Sequence, residues 1–496
     1  MRAAVRTAVR AAVRAAVRTA VRTAVRTAGD ERQPRWRLLA ICSGYFMVIL
    51  DTTVVNVALP QLSHSMHAST SDLQWVLDAY SLTFAALLLT GGMISDARGA
   101  KRVFMAGIAL FCVCSLACGL APDVGFLIAA RAAQGIGAAL SVPASLALIQ
   151  ATYSDRPARR RALGTWGAVA GIAGGGGPVV GGLLVSGLGW RSVFFLNIPM
   201  GIGSLVLAAR GLIAPEPRAH RGDAAGQLLI TLALAALTTA LIQSGSDGWD
   251  AAIVLIPLGV ALLAVAAFVR AECRSASPML PLSLFSSRAF SGGTVVGLCI
   301  NLGLYGELFV ITLYLQQLRG YTPLLAGLAL LPQMGVLTLG SALSGRMSAH
   351  AGPRRPMLIG LGIGALGLFL LAGIGPTTPY PLLVVPFVLA GLGMSLTMPA
   401  ATTAVIEAAP TERAGLAGGT INAARQTGGL LGIALMGSLV SAHGHFSGDS
   451  HLALAVGGGA FLLGWLISWR TAPAHERSGL RIAPTTSSTR SNPSPS

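Results

Sequence analysis

Among the ionisable residues inside long apolar stretches of the chain are Asp51, Asp78, Arg131 and Glu307. A charged side chain is costly inside a membrane, so such residues usually bind protons, ions or polar substrates. An Arg nearby stabilises a carboxyl group as the anion, whereas burial favours the neutral form. A carboxyl group balanced between these two influences can take up and release a proton.

The composition of the chain indicates that these residues belong to a membrane protein. Of its 496 residues, 53% are hydrophobic and 11% are charged, against about 25% charged in soluble domains. These values exclude a soluble enzyme, a disordered chain and a nucleic-acid binder built on a soluble core. The net charge of +17 would suggest a nucleic-acid partner in a soluble protein, but in a membrane protein it can mark the cytoplasmic side.

Fourteen stretches are long and apolar enough to cross a membrane, since a spanning helix needs about 20 such residues. The sequence therefore predicts an all-α polytopic membrane protein. The predicted spans are 37–59, 73–95, 102–121, 124–149, 162–186, 192–212, 226–245, 250–270, 290–316, 323–347, 354–375, 380–406, 415–441 and 451–470.

The basic residues alternate between the connections of these spans. Even-numbered connections are rich in Arg, the odd-numbered ones are nearly free of it apart from Arg191 and Arg319, and the connection near Arg413 is close to neutral. This alternation predicts that both termini are cytoplasmic, which requires an even number of spans. The excess positive charge is then an orientation signal, and the expected environment is a lipid bilayer without nucleic acid. The basic residues concerned are Arg98, Lys101, Arg102, Arg156, Arg159, Arg160, Arg161, Arg210, Arg218, Arg221, Arg270, Arg274, Arg288, Arg346, Arg354 and Arg355.

An Arg-rich repeat fills most of the N-terminal extension, residues 1–36. Arg recurs every four residues from Arg2 to Arg26 between Ala, Val and Thr. A basic helix lying on anionic lipid is one interpretation. The other is a low-complexity extension without a function.

An internal repeat divides the spans into two halves. One pair of glycines recurs after 253 residues, and a Gly-x-Gly pattern followed by Pro recurs after 256 residues. Parallel halves around a central binding site are typical of alternating-access carriers. The predicted units are the extension 1–36, a six-helix bundle 37–212, two inserted spans in 213–289, a second six-helix bundle 290–470 and a cytoplasmic tail 471–496. The matching pairs are Gly92 with Gly345, Gly99 with Gly352, Gly135 with Gly391, and Pro143 with Pro399.

Several motifs carry a family resemblance over residues 37–470. They are LDTTVVNVALP at 50–60, GMISDARGAKR at 92–102, RAAQGIG at 131–137, Gly167, Gly171 and GPVVGG at 177–182, WR at 190–191, NIPMG at 197–201, and RQTGG at 425–429. With these motifs the chain resembles the major facilitator superfamily and, within it, the fourteen-span drug:proton antiporters. The resemblance implies the major facilitator fold, two six-helix bundles plus two inserted helices.

The resemblance also implies roles for three of these motifs. The span 4 motif with Arg131 and Gln134 is linked to proton coupling, and residues 92–102 form a cytoplasmic gating loop. Ala97 and Ala100 stand in this loop where the family often has basic residues. The gating residues are Gly92, Asp96, Arg98, Gly99 and Arg102, and the antiporter motif of span 5 comprises Gly167, Gly171, Gly177, Pro178, Gly181 and Gly182.

Depth in the membrane suggests that three of the ionisable residues cooperate. At 1.5 Å per residue, Asp51, Asp78 and Arg131 lie roughly 12, 8 and 10 Å from the outer ends of their spans. We expect Asp51 or Asp78 to be the proton-coupling group, tuned by Arg131. The alternative is a static ion pair that fixes helix packing.

Other candidates have two interpretations each. Glu307 is expected either to pair with a cationic drug or take a second proton, or to be a neutral carboxyl bonded to a neighbouring helix. Asp96 is either a gating latch, binding a helix N-terminus or an Arg across the interface, or a solvated loop carboxylate. The span 5 glycines and Pro178 either form a bend that prevents proton leakage or provide close packing. Together with Glu307, the residues expected to line the substrate cavity are Gln134, Arg425 and Gln426.

The expected function is proton-coupled export of hydrophobic drugs or antibiotics, cationic ones among them, by alternating access. The only lysine, Lys101, follows Ala100, so no Walker A motif is present and the proton gradient is the expected energy source. We expect a non-enzymatic monomer in the plasma membrane, with a small-molecule substrate and neither cofactor nor metal; His443, His445 and His451 lack neighbouring Cys ligands. The alternative is a proton-coupled carrier of a metabolite, peptide or siderophore. A channel or membrane enzyme is disfavoured by the two-half repeat.

Overall fold

A computed structural model describes residues 35–153, 155–212, 223–275, 278–410, 413–441 and 446–472. Within these ranges the chain is helical and contains no strand. The expected all-helical class is therefore confirmed. The Arg-rich repeat, His443, His445 and most of the predicted C-terminal tail lie outside the described residues.

Sixteen α-helices make up the described part of the chain, together with a short 3₁₀ helix at Leu282–Ser286 and a π-helical turn at Tyr314–Leu318. Most are rich in Leu, Ala, Val and Ile, as a helix surrounded by lipid requires. In chain order they are α1 Arg35–Met66, α2 Thr70–Arg98, α3 Ala100–Gly119, α4 Val124–Thr152, α5 Arg156–Leu188, α6 Ser192–Phe195, α7 Asn197–Gly211, α8 Ala224–Asp247, α9 Ala252–Arg274, α10 Arg288–Leu313, α11 Pro323–Ala329, α12 Leu331–Ala351, α13 Arg354–Ala372, α14 Tyr380–Glu407, α15 Ala414–Ser441 and α16 Phe446–Thr471.

Polar caps fix where several of these helices begin. Ser69 and Asp72 form a capping box at α2, in which Ser69 Oγ accepts from the Asp72 amide at 3.1 Å. The carboxylates of Asp123 and Asp223 accept from backbone amides at the first turns of α4 and α8. Such caps satisfy amide groups that the helix itself leaves without acceptors.

Two tight turns support the internal repeat. Gly99 ends α2 with φ 91°, and Gly352 ends α12 with φ 73°. Both angles lie in the left-handed region, which glycine adopts without a steric penalty. Because the two glycines are 253 residues apart, the same turn occurs at the corresponding place in both halves.

Twelve helical segments of the described residues are long and apolar enough to cross a membrane, one of them formed by α6 and α7 together, and a thirteenth span results if the bent pair α11 and α12 is counted as one. The helix α15 has 28 residues but is not among them. Polar residues at its centre, such as Asn422, Arg425 and Gln426, lower its hydropathy. A multi-pass membrane protein is confirmed, while the count of fourteen stays a prediction.

Two predicted spans are interrupted and one is longer than expected. The span predicted at 323–347 is broken near Leu330, where α11 and α12 meet at 45°. Pro332, in the first turn of α12, has no backbone N–H and restricts the residue before it, which favours a break here. The predicted span 192–212 is similarly divided into α6 and α7 at Leu196. In contrast, α1 continues through Pro60 to Met66.

Most helix contacts lie within the N-terminal helices α1–α7 or within the C-terminal helices α10–α16. In the first group α4 packs on α2 and α3, and α1 packs on α5 and α7; in the second, α10 packs on α15 and α16, and α14 on α12 and α13. The two groups meet where α2 contacts α15 and where α5 contacts α11 and α12. The helix α8 contacts both α2 and α15, and α9 packs on α8.

Candidate functional site

The centre of the candidate site is an ion pair between α1 and α4. Asp51 Oδ2 accepts a hydrogen bond from Arg131 Nη1 at 2.5 Å. Both side chains are buried, with 0% and 1% of their surface exposed. A charge-assisted hydrogen bond of this length in a dry interior is a strong interaction. The sequence prediction that Arg131 lies beside a carboxyl group is thus confirmed for Asp51.

Polar side chains from two more helices complete the shell around Asp51. Asn197, at the start of α7, donates to Asp51 Oδ1 at 2.8 Å, and Gln134 donates to the same oxygen at 3.2 Å. Both amides also donate to Ser115 Oγ on α3. Every oxygen of the Asp51 carboxylate therefore has a donor, which stabilises the anion.

Arg131 is held by neutral partners as well as by Asp51. Its Nε donates to the carbonyl oxygen of Val76 on α2 at 3.0 Å, and its Nη1 donates to Gln134 Oε1 at 2.7 Å. The guanidinium carbon lies 4.3 Å from the centre of the Tyr80 ring, a distance at which a cation is attracted to an aromatic face. Four helices besides α4 thus contribute to one network, whose geometry depends on how they pack.

A small cavity of ≈ 20 Å³ lies beside Arg131, between the N-terminal and C-terminal helices. Its volume is enough for one water molecule. The cavity places the network at the boundary between the two groups of helices. It is lined by Thr52, Leu77, Tyr80, Ser81, Phe84 and Arg131 on one side and by Tyr305, Gln426, Gly429 and Ile433 on the other.

Asp78 does not join this network. It is fully buried, and neither carboxyl oxygen has a hydrogen-bond partner among the described residues. Tyr80, two residues further along α2, faces Arg131. Because residues two apart on a helix point about 200° apart, Asp78 lies on the other side of α2.

Glu307 is buried between α10 and α12. Gln333 Nε2 donates to both of its carboxyl oxygens, at 3.0 and 2.9 Å. The carboxyl group is therefore hydrogen-bonded to a neighbouring helix, as the second interpretation of Glu307 expects, while its neutral state stays a prediction. Gln333 lies just after the break in the predicted span 323–347, so the break brings this amide to the carboxyl group.

The four residues predicted for a substrate cavity occupy different surroundings. Gln426 lines the small cavity beside Arg131. Gln134 belongs to the Asp51 network, and Glu307 binds Gln333. Arg425 Nη1 donates to Asn422 within α15 at 3.2 Å. The structure brings only Gln134 and Gln426 near Arg131.

The antiporter motif divides α5 into a packed end and an open end. A methyl group at Gly177 would overlap Thr53, and one at Gly181 would lie 2.7 Å from the Val54 carbonyl oxygen. Gly182 and Pro178 pack similarly against the Pro323–Ala329 helix, where Leu324 and Gly327 approach them. In contrast, nothing lies within 4 Å of a methyl group built at Gly164, Gly167 or Gly171. Close packing is therefore present at the glycines of the C-terminal end of α5, while Gly164, Gly167 and Gly171 in its first half face open space.

The gating loop is exposed at its centre. Asp96 and Arg98 are exposed, and Asp96 makes no hydrogen bond or ion pair to a described residue. The latch predicted for Asp96 is thus not formed in this arrangement. Arg98 and Arg102 border a groove of ≈ 640 Å³ between α2, α3 and α4. Gly99 makes the turn described above. A methyl group added at Gly92 would lie 3.8 Å from the side chain of Pro143, which is an ordinary contact.

Three polar residues of these networks were missed by the sequence reasoning, which gave Ser115, Asn197 and Gln333 no role. Asn197 belongs to the NIPMG motif, so an amide in an otherwise apolar span was a usable signal. Gln333 is likewise an amide within a predicted apolar span and gives the same signal. Ser115 gives none, since a serine in a membrane helix often bonds to its own backbone.

A comparison with protein-family models shows to which family the chain belongs. A family model described as Major Facilitator Superfamily matches residues 41–433 and 338–493. The chain belongs to the major facilitator superfamily. This membership indicates a transporter rather than an enzyme, so the sequence prediction of a non-enzymatic carrier is confirmed at this level.

Members of the superfamily with similar sequences are named as resistance and export proteins. A methylenomycin A resistance protein of Streptomyces coelicolor is 38% identical over 441 residues, covering 89% of this chain and 93% of that protein. The multidrug resistance protein Stp of Mycobacterium tuberculosis is 38% identical, covering 84% and 78%. A tetracenomycin C resistance and export protein of Streptomyces glaucescens is 36% identical, covering 84% and 77%.

Solved structures of the superfamily share the fold. A peptide transporter POT in complex with sulfate superposes with a TM-score of 0.67 at 14% identity, covering 89% of this chain and 95% of that chain. A POT family transporter in complex with a thioalcohol-conjugated peptide gives 0.68 at 13% identity, covering 90% and 99%. At this level of identity the likeness concerns the fold alone.

Proposed function

We propose that the protein is a proton-coupled exporter of hydrophobic drugs or antibiotics, cationic ones among them, of the fourteen-span drug:proton antiporter branch. The observation that carries this proposal is the buried Asp51–Arg131 network beside a cavity between the two groups of helices. The relatives named as antibiotic and multidrug resistance proteins support a drug substrate. The proton gradient supplies the energy, and no cofactor takes part.

The proposed architecture has two six-helix bundles and two inserted spans. The bent pair α11 and α12 counts as one span. Adding α15 brings the number of spans to fourteen, because this helix lies beside α2 and α10 and its 28 residues suffice to cross the bilayer. The inserted spans are α8 and α9. The distribution of Arg places both termini on the cytoplasmic side of the plasma membrane, and the protein acts as a monomer without nucleic acid.

Alternating access is the proposed mechanism. With the termini inside, the packed contacts of α5 at Gly177–Gly182 lie near the outer surface, and the open glycines 164, 167 and 171 lie near the inner surface. This arrangement corresponds to a carrier closed to the outside. Rocking of one bundle against the other would open the α5–α11 contact and close the inner side, where Asp96 is then available to act as a latch.

Proton coupling is proposed at Asp51 and Asp78, with Arg131 as the tuning charge. Protonation of Asp51 removes its negative charge and so weakens the bond to Arg131, which frees the guanidinium beside the cavity. Asp78 has no cation close to it and is the second proton-binding group. In this way the charge on a carboxyl group is linked to the packing of α1, α2 and α4.

Uptake of ethidium into everted membrane vesicles, whose cytoplasmic side faces outward, tests the proposed export. We expect proton-driven ethidium transport that collapses with a protonophore and is lost in Asp51→Asn. The matched control is Asp250→Asn, which removes a carboxylate from an exposed connection and should transport at the wild-type rate. Full proton-driven transport in both Asp51→Asn and Asp78→Asn would refute the coupling role, and transport of peptides or metabolites but no drug would favour the other carrier class.

A further inference from the structure

A second polar cluster lies where α2, α8 and α15 meet, away from the Asp51 network. Three fully buried side chains in this place have polar atoms without a hydrogen-bond partner among the described residues: Gln74 Oε1, both oxygens of Asp78, and Thr238 Oγ. Burying such atoms without partners costs about 1–3 kcal/mol for each neutral group and more for a charge. Four such atoms in one place therefore indicate that a hydrogen-bonding group is missing from the cluster.

The contacts between α2 and α8 place Asp78 opposite Thr238. Near the other end of α2, Thr90 donates to Gln227, and Gln227 donates to the Ala86 carbonyl oxygen at 3.0 Å. One to two turns further along, Leu82 packs with Leu234 in one cluster. The two helices are thus antiparallel, and one more turn on each leads to Asp78 and Thr238.

The third wall is formed by α15. Gln74 Nε2 donates to the carbonyl oxygens of Ile433 and Ala434, at 3.3 and 2.9 Å. Leu430 packs with Leu82. Because Gln74, Asp78 and Leu82 are four residues apart on α2, they share one face, and that face is directed at α15 and α8.

The hydroxyl group of Thr238 differs from those of its neighbours. Thr231 and Thr239, the other threonines of α8, each donate to the carbonyl oxygen four residues earlier, at 2.7 and 2.9 Å. This is the usual bond of a threonine within a helix. Thr238 makes no such bond, so its hydroxyl hydrogen is available to the face that meets α2.

Among the residues that the structure describes, no charged group faces the cluster. The titratable group of α8 is Asp247 at its last residue, and α15 contributes Arg425, about two turns from Ile433. On α1 and α4, the charges of Asp51 and Arg131 are paired with each other. On α3, Lys101 and Arg102 lie at the cytoplasmic start of the helix, and the other titratable side chains of α3 are cysteines. A carboxylate anion at Asp78 would be buried without a counterion, which is strongly unfavourable.

We propose that Gln74, Asp78 and Thr238 form a proton-binding site in which the inserted helix α8 supplies the positioning residue Thr238. One proton on Asp78 gives a hydrogen-bond partner to each of the unpartnered atoms of Gln74, Asp78 and Thr238. The protonated carboxyl oxygen donates to Gln74 Oε1, in the i to i+4 direction that helices allow, and Thr238 Oγ donates to the other carboxyl oxygen. The proton leaves to water when this junction opens.

The site deepens the proposed function, on which its link to transport rests. One wall comes from the N-terminal helices, one from the C-terminal helices and one from the inserted pair. Movement of α2 against α15 shifts Gln74 and exposes Asp78, so the affinity for the proton changes with the conformation. The inserted helices thereby acquire a role in coupling besides spanning the membrane.

Infrared spectroscopy of the purified full-length protein in liposomes tests the site without any substrate. We expect a carbonyl stretching band of a protonated carboxyl group at neutral pH that is lost in Asp78→Asn. The band should shift to higher frequency in Thr238→Val, which keeps the shape but removes the donor, and return in Thr238→Ser. Thr239→Val is the matched control and should leave the band unchanged.

Two results would overturn the proposal. One is the absence of any band that Asp78→Asn removes, and the other is a band of unchanged frequency in Thr238→Val. Circular dichroism of each variant verifies that it is folded, and Thr238→Val alone suffices if Asp78→Asn does not fold. Because the band is read without transport, failure of proton-driven ethidium efflux would refute the proposed function and leave the site standing.

Discussion

Asp51 and Glu307 are buried carboxyl groups within α1 and α10, the first helices of the N-terminal and C-terminal groups, yet their surroundings differ. A displacement of 256 residues, which relates Gly135 to Gly391, also carries Asp51 onto Glu307. Asp51 accepts from a guanidinium and two amides, whereas Glu307 accepts from the amide of Gln333. The same displacement carries Arg131 onto Phe387, a fully buried aromatic residue.

This difference shows how a repeated fold can hold two kinds of carboxyl group. In the N-terminal half a cation and several donors stabilise the anion, and the ion pair also joins α1 to α4. In the C-terminal half an apolar ring stands where the displacement places the cation, and among the described residues Glu307 has an amide and no ion-pair partner. Each half thus contains a buried carboxyl group in its first helix, and the partner of that group decides its electrostatics.

The largest expected effect is that of removing the cation from the N-terminal half. Arg131→Leu leaves Asp51 as an uncompensated buried charge, so the free energy of unfolding should fall by about 3–5 kcal/mol. Thermal unfolding in detergent measures this loss, and adding Asp51→Asn to the same chain should recover much of it. The matched change in the other half, Gln333→Leu, removes a neutral partner and should lower the free energy of unfolding less, by about 1–3 kcal/mol. Equal losses in Arg131→Leu and Gln333→Leu would abolish the contrast between the two halves.

A second effect concerns the helix that supports Asp51. Gly177 packs against Thr53, two residues from Asp51, so Gly177→Ala should displace α1 and lower the free energy of unfolding by about 1–3 kcal/mol. Ethidium efflux should fall with it. Gly171→Ala, in open space on the same helix, should preserve or slightly raise stability because alanine favours helix. A Gly177→Ala protein as stable and active as Gly171→Ala would show that this contact does not position Asp51.

A third, smaller effect separates the neutral donors from the cation. Asn197→Leu removes one hydrogen bond to Asp51 and should lower the free energy of unfolding by about 1–2 kcal/mol. The control is Asn301→Leu on α10, since the side-chain oxygen of Asn301 is buried without a partner among the described residues. Its replacement should be neutral or stabilising. The prediction fails if thermal unfolding ranks the two variants in the opposite order.

The smallest effect on stability is expected at Glu307. The amide oxygen in Glu307→Gln can still accept from Gln333, so the free energy of unfolding should change by less than about 1 kcal/mol. Efflux of cationic ethidium should nevertheless decrease, while resistance to a neutral drug should be retained. Resistance assays with both compounds in cells measure this selectivity, and an equal loss for both would exclude the first interpretation of Glu307, in which it pairs with a cationic drug.

The sequence predicted the apolar helices and four of the ionisable residues that they bury, Asp51, Asp78, Arg131 and Glu307. Hydropathy and the spacing of Arg, Gly and Pro indicated most helices, and the pairs Gly92–Gly345 and Gly99–Gly352 indicated the repeat. Breaks were harder to predict, because Pro332 is tolerated within some membrane helices and interrupts others according to the packing around it. Fourteen spans were expected, but α15 shows that polar residues at a helix centre obscure such a count.

The partners of the carboxyl groups could not be derived from depth alone. Asp51 and Asp78 were both placed near the level of Arg131, yet only Asp51 contacts it. Depth follows from the rise per residue, which every helix shares. The direction in which a side chain points depends on the rotation of its helix, and that rotation is set by contacts with other helices.

The amino-acid sequence by itself determined that this protein is a multi-pass helical membrane protein of repeated halves, with a few ionisable residues kept within the spans. These features follow from local composition and from periodicities along one chain. Only the tertiary structure decided that Arg131 pairs with Asp51 and Gln333 with Glu307, and that Asp78 lies on the side of α2 away from Arg131. Each of these pairings joins residues on different helices, whose rotation and register arise from packing between distant parts of the chain.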